Sequence, residues 1–108
     1  MVVLTDLDRV VTRFTGEPVK DAEGIDVTYR KALVNQLGGY NAAKASGENL
    51  MKAYDLGLKI HNAKDTVELD EEQFKFVRGV IVETPMYVAI VTGQVLKMLD
   101  DDKLKSKN

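Results

Sequence analysis

The chain has 108 residues, with 15 Lys plus Arg, 17 Asp plus Glu, one His and no Cys or Trp. This length is typical of one domain, and a hydrophobic fraction of 44% is too high for a disordered segment. The lack of cysteine excludes disulfides, thiolate metal sites and cysteine nucleophiles, and a net charge of −2 gives nucleic acid no overall attraction.

The amino-terminal residues fit two secondary structures. Four apolar residues recur at helical spacing and favour a helix over residues 6–14, namely Val3, Leu7, Val10 and Phe14. The β-branched run from Val10 to Thr12 also suits a strand. We expect the helix, with the strand as the alternative.

The next segment has the pattern of a small hairpin. Two short β-compatible runs, at residues 18–20 and 25–27, flank Asp21–Gly24, a four-residue loop that ends in glycine. The amino-acid sequence shows no internal repeat in this region or in the rest of the chain. We therefore expect one hairpin near residues 18–27, packed on helices.

Two helices are predicted for the middle of the chain. Thr28 is placed as the N-cap of a helix over residues 29–37, which Gly38 and Gly39 end. Ser46 is placed as the N-cap of the next helix, which ends within residues 62–65.

Two more helices are predicted for the last third. Asp70, followed by two acidic residues and Gln73, has the pattern of a helix start, although the β-branched run 80–82 also suits a strand. Thr84-Pro85 marks the start of a helix over 85–99 that is apolar nearly all round, which is typical of a central helix.

These elements predict a mainly helical α+β fold, a compact bundle of four to five helices with one small β-hairpin in the N-terminal third. We expect residues 1–99 to form a single globular domain. Residues 100–108 turn abruptly polar, and we expect them to form a frayed tail.

The residue types needed for catalysis are scarce. Ser46 and His61 would lie at opposite ends of one helix, about 22 Å apart, so they cannot form a nucleophile–base pair within one chain. One His without Cys, and the divergent side chains of consecutive Asp100–Asp102, do not make a metal site. We predict a protein that is not an enzyme and that has no catalytic, cofactor-binding or metal-binding residues.

The last two helices carry more apolar surface than one buried side requires. The longest stretch without a charged residue covers 13 residues, from Thr84 to Leu96, which is too short to span a bilayer. Large apolar side chains in this region and nearby are predicted to bind a protein partner or a second copy of the chain: Tyr54, Phe74, Phe76, Met86 and Tyr87. We expect no membrane partner and no cofactor.

The order of these pieces resembles a group of small proteins encoded by tailed bacteriophages and prophages. The resemblance covers about residues 14–99 and rests on turns, helix caps and a Thr-Pro start, in segments 14–20, 27–37, 46–60, 67–70, 84–88 and 93–95. It implies a viral accessory protein in the host cytoplasm that acts through protein contacts, in particle assembly or on a host protein. The alternative is a small nucleic-acid-binding regulator that places Arg30 and Lys31, in the helix over 29–37, on phosphates.

Overall fold

Four helices and two short strands make up the regular structure of the chain. The structure is a computed structural model that describes residues 1–41, 46–83 and 87–106. In chain order the elements are strand β1 (Val2–Leu4), helix α1 (Tyr29–Gly38), helix α2 (Gly47–Asn62), strand β2 (Val67–Leu69), helix α3 (Glu71–Glu83) and helix α4 (Ala89–Lys105). β1 and β2 pair antiparallel. The predicted class, a mainly helical α+β fold, is confirmed.

Local polar side chains start the middle helices, as the sequence predicts. Thr28 and Ser46 each accept a hydrogen bond from the backbone N–H three residues ahead. Asp70 and Gln73 form a reciprocal pair, in which Asp70 Oδ1 accepts from the Gln73 N–H (2.7 Å) and Gln73 Oε1 accepts from the Asp70 N–H (3.0 Å). These contacts satisfy amide groups that a helix leaves without partners in its first turn. The predicted start at residues 84–85 lies outside the described residues.

The helix expected over residues 6–14 is wrong. Val10 forms an antiparallel bridge with Thr28, and Thr12 forms one with Pro18. The segment forms isolated bridges rather than a helix or a regular strand, because its β-branched residues find backbone partners in segments that lie further along the chain.

The predicted hairpin near residues 18–27 is confirmed, and it is one part of a larger arrangement. Three extended segments, centred on Val11, Val19 and Val27, close a ring of backbone hydrogen bonds. Val11 donates to Val27 O (2.8 Å), Val19 to Val11 O (2.9 Å) and Val27 to Val19 O (2.9 Å). The two turns between these segments place Gly16 and Gly24 at positive φ, 92° and 80°. These three segments, spaced eight residues apart, thus form a structural repeat, although no repeat is visible in the amino-acid sequence.

The central helix is α1 rather than α4, so the expectation of a central last helix is wrong. Helix α1, like α3, contacts each of the other three helices. It buries five side chains, those of Tyr29, Ala32, Leu33, Gln36 and Leu37. Helix α4 buries one face only and leaves Ala89 and Gly93 exposed.

The carboxyl-terminal segment is also ordered further than expected. Helix α4 continues to Lys105, and Asp102 is buried. Ser106 Oγ accepts a hydrogen bond from the backbone N–H of Val3 (2.9 Å), which ties the end of α4 to β1. The expectation of a frayed tail over residues 100–108 is therefore wrong for residues 100–106.

Candidate functional site

Helices α1 and α2 pack closely and leave a groove on their outer side. A Cβ atom added at Gly57 would lie 3.6 Å from Leu37 Cβ, an ordinary van der Waals distance, so the two helices are in direct contact at this point. On α2 the side that faces the core carries Ala53, Leu56 and Ile60. Because this side is fully used, the apolar residues elsewhere on α2 must meet solvent.

A stripe of large side chains runs along the exposed side of α2. We call it the α2 stripe, and it consists of Leu50, Met51, Tyr54, Leu58 and His61. Met51 and Tyr54 are 67% and 65% exposed. Four members follow the spacing 51, 54, 58 and 61, which is the three–four alternation of a helix that packs against another helix. The α2 stripe is therefore patterned as a contact surface with nothing in the described structure on it.

The groove beside the α2 stripe has a volume of about 300 Å³. Helix α1 contributes Val34 and Gly38 to its lining, and the other lining residues belong to α2: Ala53, Tyr54, Gly57, Leu58 and His61. Apart from the Tyr54 hydroxyl and the His61 imidazole, the side chains that line it are apolar.

Arg30, on α1, caps the carboxyl end of α2. Its guanidinium donates to the carbonyl oxygens of Ile60 (2.7 Å), Ala63 (2.5 Å) and His61 (3.1 Å), and also to that of Lys64. A cation at this end of a helix is favourable, since the last carbonyls carry partial negative charge. The guanidinium is thus committed to internal contacts.

The second cation of the nucleic-acid alternative is committed in the same way. Lys31 Nζ forms an ion pair with Asp21. This hydrogen bond raises the pKa of the lysine and lowers the pKa of the Asp21 carboxyl. Neither Arg30 nor Lys31 is available to phosphate without giving up its partner.

The residues predicted to bind a partner differ in how far the structure exposes them. Tyr54 is exposed, on the α2 stripe. Phe74 is only 1% exposed and belongs to the core, so its predicted contact with a partner is wrong. The position of this aromatic residue on α3 therefore marks the buried face of the helix.

Two of the remaining predicted residues are half-buried. The ring of Phe76 makes an edge-to-face contact with that of Tyr40, with centroids 5.8 Å apart. The Tyr87 hydroxyl accepts a hydrogen bond from Asn35 Nδ2 (2.8 Å). Neither lies on the α2 stripe. Met86 lies outside the described residues.

A buried polar network joins the two ends of the chain at Asp102. The carboxylate accepts hydrogen bonds from the hydroxyls of Tyr29 (3.0 Å) and Thr5 (2.9 Å), and Arg9 Nη2 lies 3.5 Å from it. Burial, and the carboxylate beside it, raise the pKa of the Tyr29 hydroxyl, which therefore stays protonated as a donor. Because Tyr29 and Asp102 are at most 1% exposed, a substrate cannot reach them and the network serves stability.

Sequence reasoning missed one exposed aromatic residue. Phe14 is 98% exposed, at the tip of the first hairpin, although the predicted helix placed it on an inner face. A hairpin prediction for residues 12–18, based on Gly16, would have placed it at a turn.

The structure keeps the one serine–histidine pair considered above apart. Ser46 caps the start of α2 and His61 lies in its last turn, so the two side chains are at opposite ends of that helix. In the ranges 1–41, 46–83 and 87–106 no three His, Asp or Glu side chains cluster as metal ligands. Within the same ranges no helix combines the length and apolar character needed to cross a membrane.

Comparison of the chain with protein-family models, with curated proteins and with solved structures finds no match.

Proposed function

We propose that this protein is a non-enzymatic binding module, encoded by a phage, whose α2 stripe and adjoining groove hold a helix of a partner protein. The observation that carries the proposal is the row of exposed, large apolar side chains at helix-packing spacing beside an apolar groove. The resemblance to small phage proteins supports a partner in particle assembly or a host protein.

The chemistry of the surface favours an amphipathic helix as the partner element. Such a helix presents apolar anchors at spacings of three and four residues, which match the spacing from Met51 to His61. Tyrosine is common among the residues that dominate binding energy, and Tyr54 stands at the middle of the stripe. The apolar groove would receive one or two anchors.

A nucleic-acid regulator has less support. It requires Arg30 and Lys31 to face phosphates, whereas both hold internal carbonyl or carboxylate oxygens. We therefore do not retain it as a second proposal.

The test is capture of a partner from infected host lysate with wild-type protein and with the variants Tyr54→Asp and Leu58→Asp. The matched control is Val82→Asp, an apolar-to-acidic change on an exposed position of α3, where Val82 is 52% exposed. We expect wild type and Val82→Asp to retain the same partner and the two stripe variants to lose it, with unchanged far-UV circular dichroism. Recovery of no partner, or equal recovery by all four proteins, would sink the proposal.

A further inference from the structure

The most exposed aromatic side chain of the described residues stands on a well-formed turn. Phe14 follows Arg13, whose N–H donates to Glu17 O (2.7 Å) and whose carbonyl accepts from the Gly16 N–H (2.9 Å). Gly16 adopts the positive φ that this turn requires, 92°. The backbone thus presents the Phe14 ring to solvent in a defined position.

The hairpin is fixed to helix α4 by one side chain. The Gln94 amide Oε1 accepts from the Thr12 N–H (3.2 Å), and Nε2 donates to the Thr12 carbonyl. Gln94 therefore pairs with the backbone as a neighbouring strand would. This pairing sets where Phe14 lies relative to α4.

A cleft of about 260 Å³ lies between Phe14 and α4. The residues of α4 that line it are Ala89, Ile90, Gly93, Gln94 and Lys97. A Cβ atom added at Gly93 would meet nothing within 4 Å, so the surface of α4 is open at this point. A projecting ring and an open apolar cleft therefore lie side by side.

We propose that this face joins two copies of the chain, with Phe14 of each copy in the cleft of the other. A two-fold symmetric interface uses the same patch on both copies. A projecting side chain and the cleft that receives it must therefore be neighbours on one surface of the chain. Phe14 and the cleft meet that requirement. An aromatic side chain buries about 150–250 Å² when it is covered, which makes the two rings the anchors of the contact.

The charges around the cleft suit a second copy. The hairpin carries Arg13 and Glu17, and α4 carries Lys97 and Asp101, all exposed. Among the described residues none of these four takes part in an ion pair. In the dimer that we propose, Glu17 of one copy is placed opposite Lys97, which lines the cleft, and Arg13 is placed opposite Asp101, one helical turn further along α4, so that each contact joins opposite charges. No residue of the α2 stripe is used, so this proposal stands apart from the one above.

The first test is sedimentation velocity of the full chain from about 10 µM to about 1 mM. We expect a concentration-dependent dimer. Phe14→Ser removes the projecting side chain and Gly93→Leu fills the cleft. Each should raise the dissociation constant about 100-fold or more, because both symmetry-related anchors are lost. Since Phe14 and Gly93 are both exposed, both variants should keep the wild-type circular dichroism spectrum.

The second test is a charge exchange. Glu17→Lys and Lys97→Glu should each weaken the dimer, and the two changes combined in one chain should restore it. Leu58→Asp, on the α2 stripe, should leave it unchanged. A chain that stays monomeric to about 1 mM would overturn the proposal, as would a dimer that survives Phe14→Ser and Gly93→Leu or one that only Leu58→Asp abolishes.

Discussion

Replacement of Arg30 by Met should destabilise the fold strongly, because this side chain closes the end of helix α2. Methionine keeps an apolar stem and removes the guanidinium. The Arg30 side chain is only 15% exposed, and its donors reach carbonyl oxygens between Ile60 and Lys64 as well as Asp8. Water cannot easily replace every one of these contacts.

The size of the effect follows from which carbonyl oxygens lose their donor. The bonds to Ile60 and Ala63 are partly buried, whereas those to His61 and Lys64 are exposed and water can take them over. At about 1.5–3 kcal/mol for a bond with a charged group, the two buried ones contribute about 3–6 kcal/mol. Arg30 also lies in the first turn of α1, where the helix dipole disfavours a positive charge. Its removal therefore stabilises α1 by about 0.3–1 kcal/mol. We expect a net loss of about 2–5 kcal/mol.

Urea unfolding followed by far-UV circular dichroism at pH 7 measures this loss. With a slope of about 2 kcal/mol per molar, the midpoint should fall by about 1–2.5 M. Arg30→Lys should fall between wild type and Arg30→Met, because an ammonium cannot fan out over several carbonyls. Lys31→Met is the matched control, with a smaller shift, since it removes one half-buried ion pair with Asp21 whereas Arg30→Met removes donors from several backbone carbonyls. Equal midpoints for Arg30→Met and Lys31→Met would refute the capping role.

Three further predictions concern stability and use the same unfolding assay. Asp102→Ala should cost about 3–5 kcal/mol, because it removes a buried charged acceptor and leaves the hydroxyls of Tyr29 and Thr5 without it, at about 1.5–3 kcal/mol for each bond; a loss below about 1 kcal/mol would contradict this. The hydrogen bond from Arg78 lowers the pKa of the Asp100 carboxyl. Its stabilisation is therefore complete above the unfolded pKa near 4 and is lost as pH falls through the lower folded value. Stability should drop below about pH 4, and less so in Asp100→Asn; equal pH profiles would exclude this contribution. Gly24→Ala should lose about 1 kcal/mol at its positive φ, whereas Gly79→Ala, in helix α3 with open space around it, should gain about 0.5–1 kcal/mol. Changes of the same sign would count against both assignments.

The sequence was most informative about helix starts, because these depend on neighbouring residues. Thr28 and Ser46 accept hydrogen bonds from amides three residues ahead, and the pair of Asp70 and Gln73 spans one turn. Such contacts form within a single segment, so the spacing of the two residues in the sequence determines whether they can reach each other in the structure.

The amino-terminal third could not be predicted in the same way. Val10 and Phe14 fit a helical spacing, but the backbone of this segment is satisfied by residues that follow it at a distance, such as Thr28 and Val27. Periodicity in one segment does not show which other segment will supply hydrogen bonds. The helix expectation failed for this reason.

The candidate site was predicted only in part for a similar reason. Tyr54 and Phe74 are both aromatic residues on amphipathic helices, yet one is exposed and the other is in the core. Their difference depends on which face of each helix the neighbouring elements cover. Only the packing of α1 against α2 shows that the α2 stripe is left uncovered.

By itself, the sequence determined the class of the fold and the starts of the middle helices. The tertiary structure decided what the charged and aromatic residues do. Arg30 caps α2 from 30 or more positions away in the chain, and Asp102 accepts from Thr5 across 97 positions. Phe14 stands in solvent because a ring of backbone hydrogen bonds replaces the helix that would have buried it. The physical reason is that caps and periodicity act within a few residues, whereas burial and charge pairing depend on segments that meet only when the chain folds.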